Sequence, residues 1–146
     1  MTASVLFVDD EPNILEGFKR QLRKHVEIDT ATSGEEGLKM LAGGGPYAVV
    51  VSDMRMPQMN GSQFLARVRN VSPDSVRMIL SGQADMESTI AAVNDGHIFR
   101  FLTKPCSGEQ LIDAVDSALR QYALAHAEKE LLEKTLSNLR RHFSEG

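Results

Sequence analysis

Four residues able to do chemistry close short apolar runs. Asp9 and Asp10 follow Val5-Leu6-Phe7-Val8, Asp53 follows Val49-Val50-Val51-Ser52, and Lys104 follows Phe101-Leu102-Thr103. In a parallel sheet wrapped by helices, ligands bind outside the carboxyl ends of the strands. Residues distant in sequence then meet in one pocket. Three carboxylates in one pocket repel one another unless a cation joins them. Hard oxygen donors suit Mg²⁺ or Mn²⁺, and Mg²⁺ also binds phosphate. A lysine adds a compact positive charge for the same phosphate. The set reads as a site for metal-assisted placement of a phosphoryl group on a carboxylate.

The elements that must position these residues follow from the apolar period, which switches repeatedly between strand-like runs and helical spacing. Strands are expected over 4–8, 27–31, 48–52, 76–80 and 99–102. The 48–52 run is apolar almost throughout, the pattern of a strand buried on both faces. Helix one opens at Pro12, a favoured first helical residue, and carries Ile14, Leu15, Phe18 and Leu22 on one face. Ser33-Gly34-Glu35-Glu36 is a capping box opening helix two, which ends at Gly43-Gly44-Gly45-Pro46. Helix three carries Phe64, Leu65 and Val68 and stops near Pro73; helix four spans 86–95 with Ile90 and Val93. Ser107-Gly108-Glu109-Gln110 is a second capping box, opening a last helix that meets no stop signal. Strict alternation of strand and helix is the signature of an α/β fold, a doubly wound five-stranded parallel sheet.

The chain of 146 residues fits one domain with a real core. A net charge of −4 and no dense basic stripe argue against direct nucleic-acid binding. One cysteine, Cys106, excludes an internal disulfide and fits a reducing cytosol. No apolar stretch approaches the ~20 residues of a membrane span. The N-terminus leads straight into a strand, so no signal peptide is expected, and the location expected is cytoplasmic.

Each short motif has a plainer reading. Asp9 and Asp10 also fit a cap on helix one, Asp53 a turn residue, and Lys104-Pro105 a loop start. Their joint placement at strand ends outweighs these readings. Gly43-Gly44-Gly45 lacks the Gly-Lys-Ser/Thr ending of a P-loop and reads as a linker. His25, His97, His126 and His142 share no ligand spacing, and Cys106 has no activating histidine in view. Met54, Met56 and Met59 fit a flexible recognition surface or loop packing equally well.

The set Val8-Asp9-Asp10-Glu11, Asp53-Met54-Arg55-Met56-Pro57-Gln58-Met59-Asn60-Gly61, Leu80-Ser81-Gly82-Gln83 and Thr103-Lys104-Pro105 resembles the receiver domain of two-component response regulators, over about residues 4–122. The resemblance implies a flavodoxin-like (βα)5 fold in which Asp53 accepts a phosphoryl group from a sensor histidine kinase. Asp10, Asp53 and the backbone carbonyl of Arg55 would bind Mg²⁺, and Asp9 would assist through a water. Lys104 would bridge Asp53 and a phosphoryl oxygen, and Ser81 would donate to another. Phe101 matches the switch aromatic, which turns inward as the Ser81 hydroxyl moves, with helix four, strand five and helix five as readout surface. Lys104–Pro105 would be a cis peptide bond. Arg55 and Gln83 occupy positions that tune hydrolysis of the acyl phosphate. The Arg55 side chain would pair with Glu11 or cover the phosphoryl group. The segment Asn94-Asp95-Gly96-His97-Ile98-Phe99-Arg100-Phe101 looks like a receiver subgroup often joined to HD-GYP-type output domains.

The last helix exceeds what one sheet face needs. Val115, Tyr122, Lys129, Leu136 and Phe143 recur every seven residues, with Ala118, Ala125, Leu132 and Leu139 in the other seam position. This heptad predicts a parallel coiled-coil homodimer and divides the chain into a receiver over 1–122 and a helical extension over 123–146, leading to an output domain outside these residues. The function expected is a phospho-accepting switch rather than an enzyme acting on other substrates. The alternatives are a stand-alone receiver that binds a partner directly, and an aspartyl-nucleophile phosphatase of the haloacid-dehalogenase type. The last needs an Asp-x-Asp pair and a cap insertion, for which the loops leave no room.

Overall fold

The computed structural model describes residues 4–44, 46–95 and 98–145. Gly45, Gly96 and His97 lie outside the described residues, and with them the middle of the expected helix-two stop, part of the subgroup segment and one histidine.

Five parallel strands form one sheet: β1 (Val5–Val8), β2 (Ile28–Ala31), β3 (Val49–Asp53), β4 (Val76–Ser81) and β5 (Arg100–Thr103), in the order β2-β1-β3-β4-β5. Among the described residues five α-helices alternate with them: α1 (Pro12–Leu22), α2 (Gly34–Gly43), α3 (Gly61–Val71), α4 (Met86–Asn94) and α5 (Gly108–Glu145). A 3₁₀ turn over Gln83–Asp85 precedes α4. The chain winds outward from β1 to β2, then returns past β1 to lay down β3, β4 and β5. Strand order therefore reverses between β1 and β3, the place where such sheets bind ligands.

The continuous apolar runs are explained by burial on both faces. In β1, Val5 and Phe7 pack with Leu15 and Leu22 of α1 and Leu111, Ala114, Val115 and Ala118 of α5. Leu6 and Val8 point the other way, against Phe64, Leu65 and Val68 of α3 and Ala92 of α4. All five residues of β3 are buried. The outer strands β2 and β5 are only partly covered, as edges are.

Local signals work unevenly. Both halves of the Ser107/Gln110 box form, at 2.9 and 3.1 Å. At α2 only half does: Ser33 Oγ accepts from the Glu36 amide, while the Glu36 carboxylate passes Ser33 and takes the amide and hydroxyl of Thr32. The Asn60/Gln63 box opening α3 is complete and was not anticipated. On α4 the buried positions are Thr89 and Ala92, whereas Ile90, expected on the packed face, is 46% exposed. Val93, expected on the same face, does pack against the core beside Ala92, so the face runs through Thr89, Ala92 and Val93 and leaves Ile90 outside it.

α5 runs unbroken for 38 residues, as expected of the last helix. Its heptad does not stand free throughout, however. Val115 and Ala118 are buried in the sheet's own core, and Tyr122 packs against the same cluster. Lys129 donates to Asp74, in the turn before β4, at 3.2 Å. The repeat beyond Leu119, for which the sequence offers nothing in its own chain to bury against, thus makes contacts at Tyr122 and Lys129, and four apolar positions follow beyond Lys129. There Leu132, Leu136, Leu139 and Phe143 are exposed. No helix of the described residues is long and apolar enough to cross a membrane.

Candidate functional site

The register of the sheet brings the reactive residues together. β1 and β3 pair through Val8 and Ser52, so Asp9 and Asp53 are the next residues on neighbouring strands. β4 and β5 pair through Ser81 and Thr103, and the Lys104 amide then donates to the Ser81 carbonyl at 2.9 Å. The Lys104–Pro105 peptide bond is cis, as the resemblance implied.

Asp9, Asp10 and Asp53 each offer a carboxylate oxygen, all within 4.8 Å of one another. Asp9 and Asp53 are buried, and Asp10 is exposed. The Lys104 ammonium lies 2.7 Å from Asp53 Oδ1 and 3.5 Å from Asp9 Oδ2. Asp9 Oδ1 accepts from the Glu11 amide at 2.9 Å. The helix-cap reading fails, because the residue at the cap of α1 is Glu11, whose own side chain makes no capping bond. Asp9 is instead held as a turn residue whose second oxygen faces the pocket.

The electrostatics show a pocket short of positive charge. Burial raises the pKa of Asp53 above its usual range, and Asp9 and Asp10 push the same way; the hydrogen bond and charge of Lys104 oppose this without cancelling it. For Lys104 burial acts to lower the pKa, but the hydrogen bond and charge of Asp53, with Asp9 behind it, raise it overall. The ammonium is therefore firmly protonated and still insufficient for three carboxylates. A cluster of hard oxygen donors with excess negative charge fits Mg²⁺ or Mn²⁺.

Backbone packing fixes Asp53. A methyl group on Gly61 would stand 2.3 Å from the Asp53 carbonyl oxygen and 2.9 Å from Met54 Cα. Only glycine lets the start of α3 approach this closely. Met54 and Met56 are buried and Met59 packs against the core, so these methionines are loop packing rather than a recognition surface.

The Ser81 side chain is fully buried. Its hydroxyl donates to the Gly82 carbonyl at 3.1 Å and accepts from Thr89 Oγ1 at 2.8 Å. Thr89 has no signal in the sequence, since an isolated threonine on a helix is ordinary. Phe101 is half-buried against the cluster containing Leu6 and Ile79. Arg55 adopts neither expected arrangement: its guanidinium pairs with Asp85 at 3.1 Å. Arg55, Asp85, Asp10, Glu11, Gly82 and Gln83 line an open cleft with Asp53 and Lys104 in it. Cys106 has its pKa raised, chiefly by burial, consistent with an ordinary thiol. His126 pairs with Glu130 within α5, and among the described residues the aspartate cluster is the one group arranged to hold a metal.

Comparison with known proteins agrees with this arrangement. The profile of the response regulator receiver domain family matches residues 5–116. The chain is 38% identical over 121 residues to the hydrogenase transcriptional regulatory protein HoxA of Bradyrhizobium diazoefficiens, covering 83% of this chain and 25% of that protein. Among solved structures it resembles one described as adenylate cyclase from Rhodopirellula baltica, with 37% identity and a TM-score of 0.88, over 92% of this chain and 99% of that one. The signal receiver domain of an HD domain-containing protein from Pseudomonas fluorescens Pf-5 is 31% identical with a TM-score of 0.76, over 86% and 90% of the two chains. The chain spans about a quarter of the length of the first curated relatives it matches.

Proposed function

The chain belongs to the response regulator receiver domain family of two-component systems, and from that premise we propose that Asp53 is its phosphoacceptor. A carboxylate oxygen of Asp53 forms a bond to phosphorus as the phosphorus–nitrogen bond to a kinase phosphohistidine breaks, and the freed imidazole takes up a proton. The observation that carries this reading is the 2.7 Å contact of Lys104 with Asp53, in a cleft open to an incoming phosphoryl group.

Asp9, Asp10, Asp53 and the backbone carbonyl of Arg55 would hold Mg²⁺ or Mn²⁺. When bound, the cation neutralises carboxylate and phosphoryl charge that otherwise repel. Lys104, already between two carboxylates, is placed to follow the charge from Asp53 to a phosphoryl oxygen. Ser81 gives up the Gly82 carbonyl to donate to the phosphoryl group, and Phe101 responds at the adjoining edge. The chemistry of the domain is confined to its own phosphorylation and dephosphorylation.

The partners that fit are a cytoplasmic sensor histidine kinase and an output, joined or separate. We read residues 1–122 as the receiver and 123–146 as a connecting helix, with the contact at Lys129 lying just past this boundary. Leu132, Leu136, Leu139 and Phe143, from 41% to 77% exposed, favour pairing of α5 with a second copy.

Acetyl phosphate with Mg²⁺ should add one phosphoryl group, at Asp53. Mass spectrometry of wild type and Asp53→Asn, with and without a divalent cation, tests this. Undiminished incorporation in Asp53→Asn would sink the assignment.

A further inference from the structure

We infer that Thr89 is a positioning residue that holds the Ser81 hydroxyl in its resting orientation and reports its departure to the start of α4. The inference rests on the phosphoacceptor reading above and deepens it. Thr89 is fully buried, where a hydroxyl is retained only if it is hydrogen-bonded. Its single proton has two acceptors in reach: Ser81 Oγ at 2.8 Å and the Asp85 carbonyl at 3.0 Å. The Ser81 proton is directed to the Gly82 carbonyl. In this state both hydroxyls are satisfied and neither proton points at Asp53.

To donate to a phosphoryl oxygen, the Ser81 hydroxyl must turn away from Gly82, and its lone pair leaves Thr89. The Thr89 proton then settles wholly on the Asp85 carbonyl. Asp85 ends the 3₁₀ turn and caps α4, and its carboxylate pairs with Arg55 at the cleft mouth. One hydroxyl thus joins the switch serine to the helix that begins beside the site. Truncating Thr89 takes from the resting state the bond that holds the Ser81 hydroxyl, whereas the Asp85 carbonyl, at the cap of α4, keeps its helical amide partner in either state, so the resting state loses more.

The test is a double-mutant cycle in the full chain, reading the rate of phosphorylation by acetyl phosphate and the half-life of phospho-Asp53. Thr89→Val keeps the shape and removes the hydroxyl. It should speed phosphorylation about three- to tenfold, the effect of one neutral hydrogen bond, and lengthen the half-life. Thr89→Ser should restore wild-type rates. In a Ser81→Ala background Thr89→Val should change neither quantity. Should Thr89→Val not fold, Thr89→Cys, whose thiol is a weak donor, enters the same cycle. Equal effects of the Thr89 variant with and without the Ser81 hydroxyl overturn the inference, as do unaltered rates in the single variant. Failure of wild type to be phosphorylated at Asp53 would instead overturn the reading beneath it.

Discussion

The ammonium of Lys129 sits 3.2 Å from the carboxylate of Asp74, tying the middle of the terminal helix to the turn that feeds β4. The residue expected to set the register of a coiled coil is therefore occupied by its own chain. Pairing of α5 must either leave this contact in place and use only the four apolar positions beyond it, or break it.

These alternatives differ in solution. Multi-angle light scattering at tens of micromolar should show a dimer for the whole chain and a monomer after truncation behind Tyr122. Lys129→Leu should tighten the dimer several-fold, because an apolar seam position replaces a charge that costs stability there. A monomeric whole chain, or equal dimerisation of both forms, would remove α5 as the contact.

Asp53 should make the metal-free protein less stable at neutral pH. Its folded-state pKa is raised above 3.8, first by burial, so the ionised form is the one that folding disfavours. The cost is absent below 3.8, grows as the pH rises to the folded value, and is complete above it. Asp53→Asn should therefore melt a few degrees higher than wild type at pH 7 without metal, with Lys104 keeping Asp9 as partner. The difference should shrink on acidification and on adding Mg²⁺. Thermal scans across pH check both trends, and a constant gap would contradict them.

Arg55→Ala should change the half-life of phospho-Asp53 about threefold or more. It should move stability by less than about 0.5 kcal/mol, as exposed loop substitutions usually do. Asp85→Asn releases the same guanidinium without removing it, so comparing the two separates loss of Arg55 from loss of its tether. Dephosphorylation kinetics and melting temperature supply the readouts.

Gly61→Ala should destabilise the fold by about 1–3 kcal/mol, the usual cost of overpacking. The added methyl meets backbone rather than a yielding side chain. It also pushes on Asp53 itself, so acetyl-phosphate labelling should slow even in the folded fraction. Denaturant titration and labelling of the same sample check this.

Strand positions were legible in the sequence to within one or two residues, because β1 and β3 are buried on both faces and leave uninterrupted apolar runs. Asp9, Asp53 and Lys104 were legible for a related reason: each is the first polar group capable of chemistry after such a run. What escaped was decided across elements. Thr89 matters through Ser81, eight residues earlier, and Arg55 chose Asp85, thirty residues on, over Glu11 nearby. The Asn60/Gln63 box was overlooked because Asn60 also reads as a turn residue beside Gly61. The heptad of α5 beyond Leu119 was read as having nothing of its own chain to bury against, yet Tyr122 packs on the core and Lys129 pairs with Asp74. A repeat that packs on its own sheet and one that packs on a partner have the same period.

The placement of β1 beside β3, with Lys104 reaching Asp9 from 95 residues away, bears on how the protein is made. A ribosome must deliver the chain past Lys104 before the pocket has its counter-charge. It must go on past Ala118 before α5 covers Val5, Phe7, Val49 and Val51. A chain stopped before Leu111 would therefore hold every charged residue of the pocket and still leave those four side chains without the cover of α5.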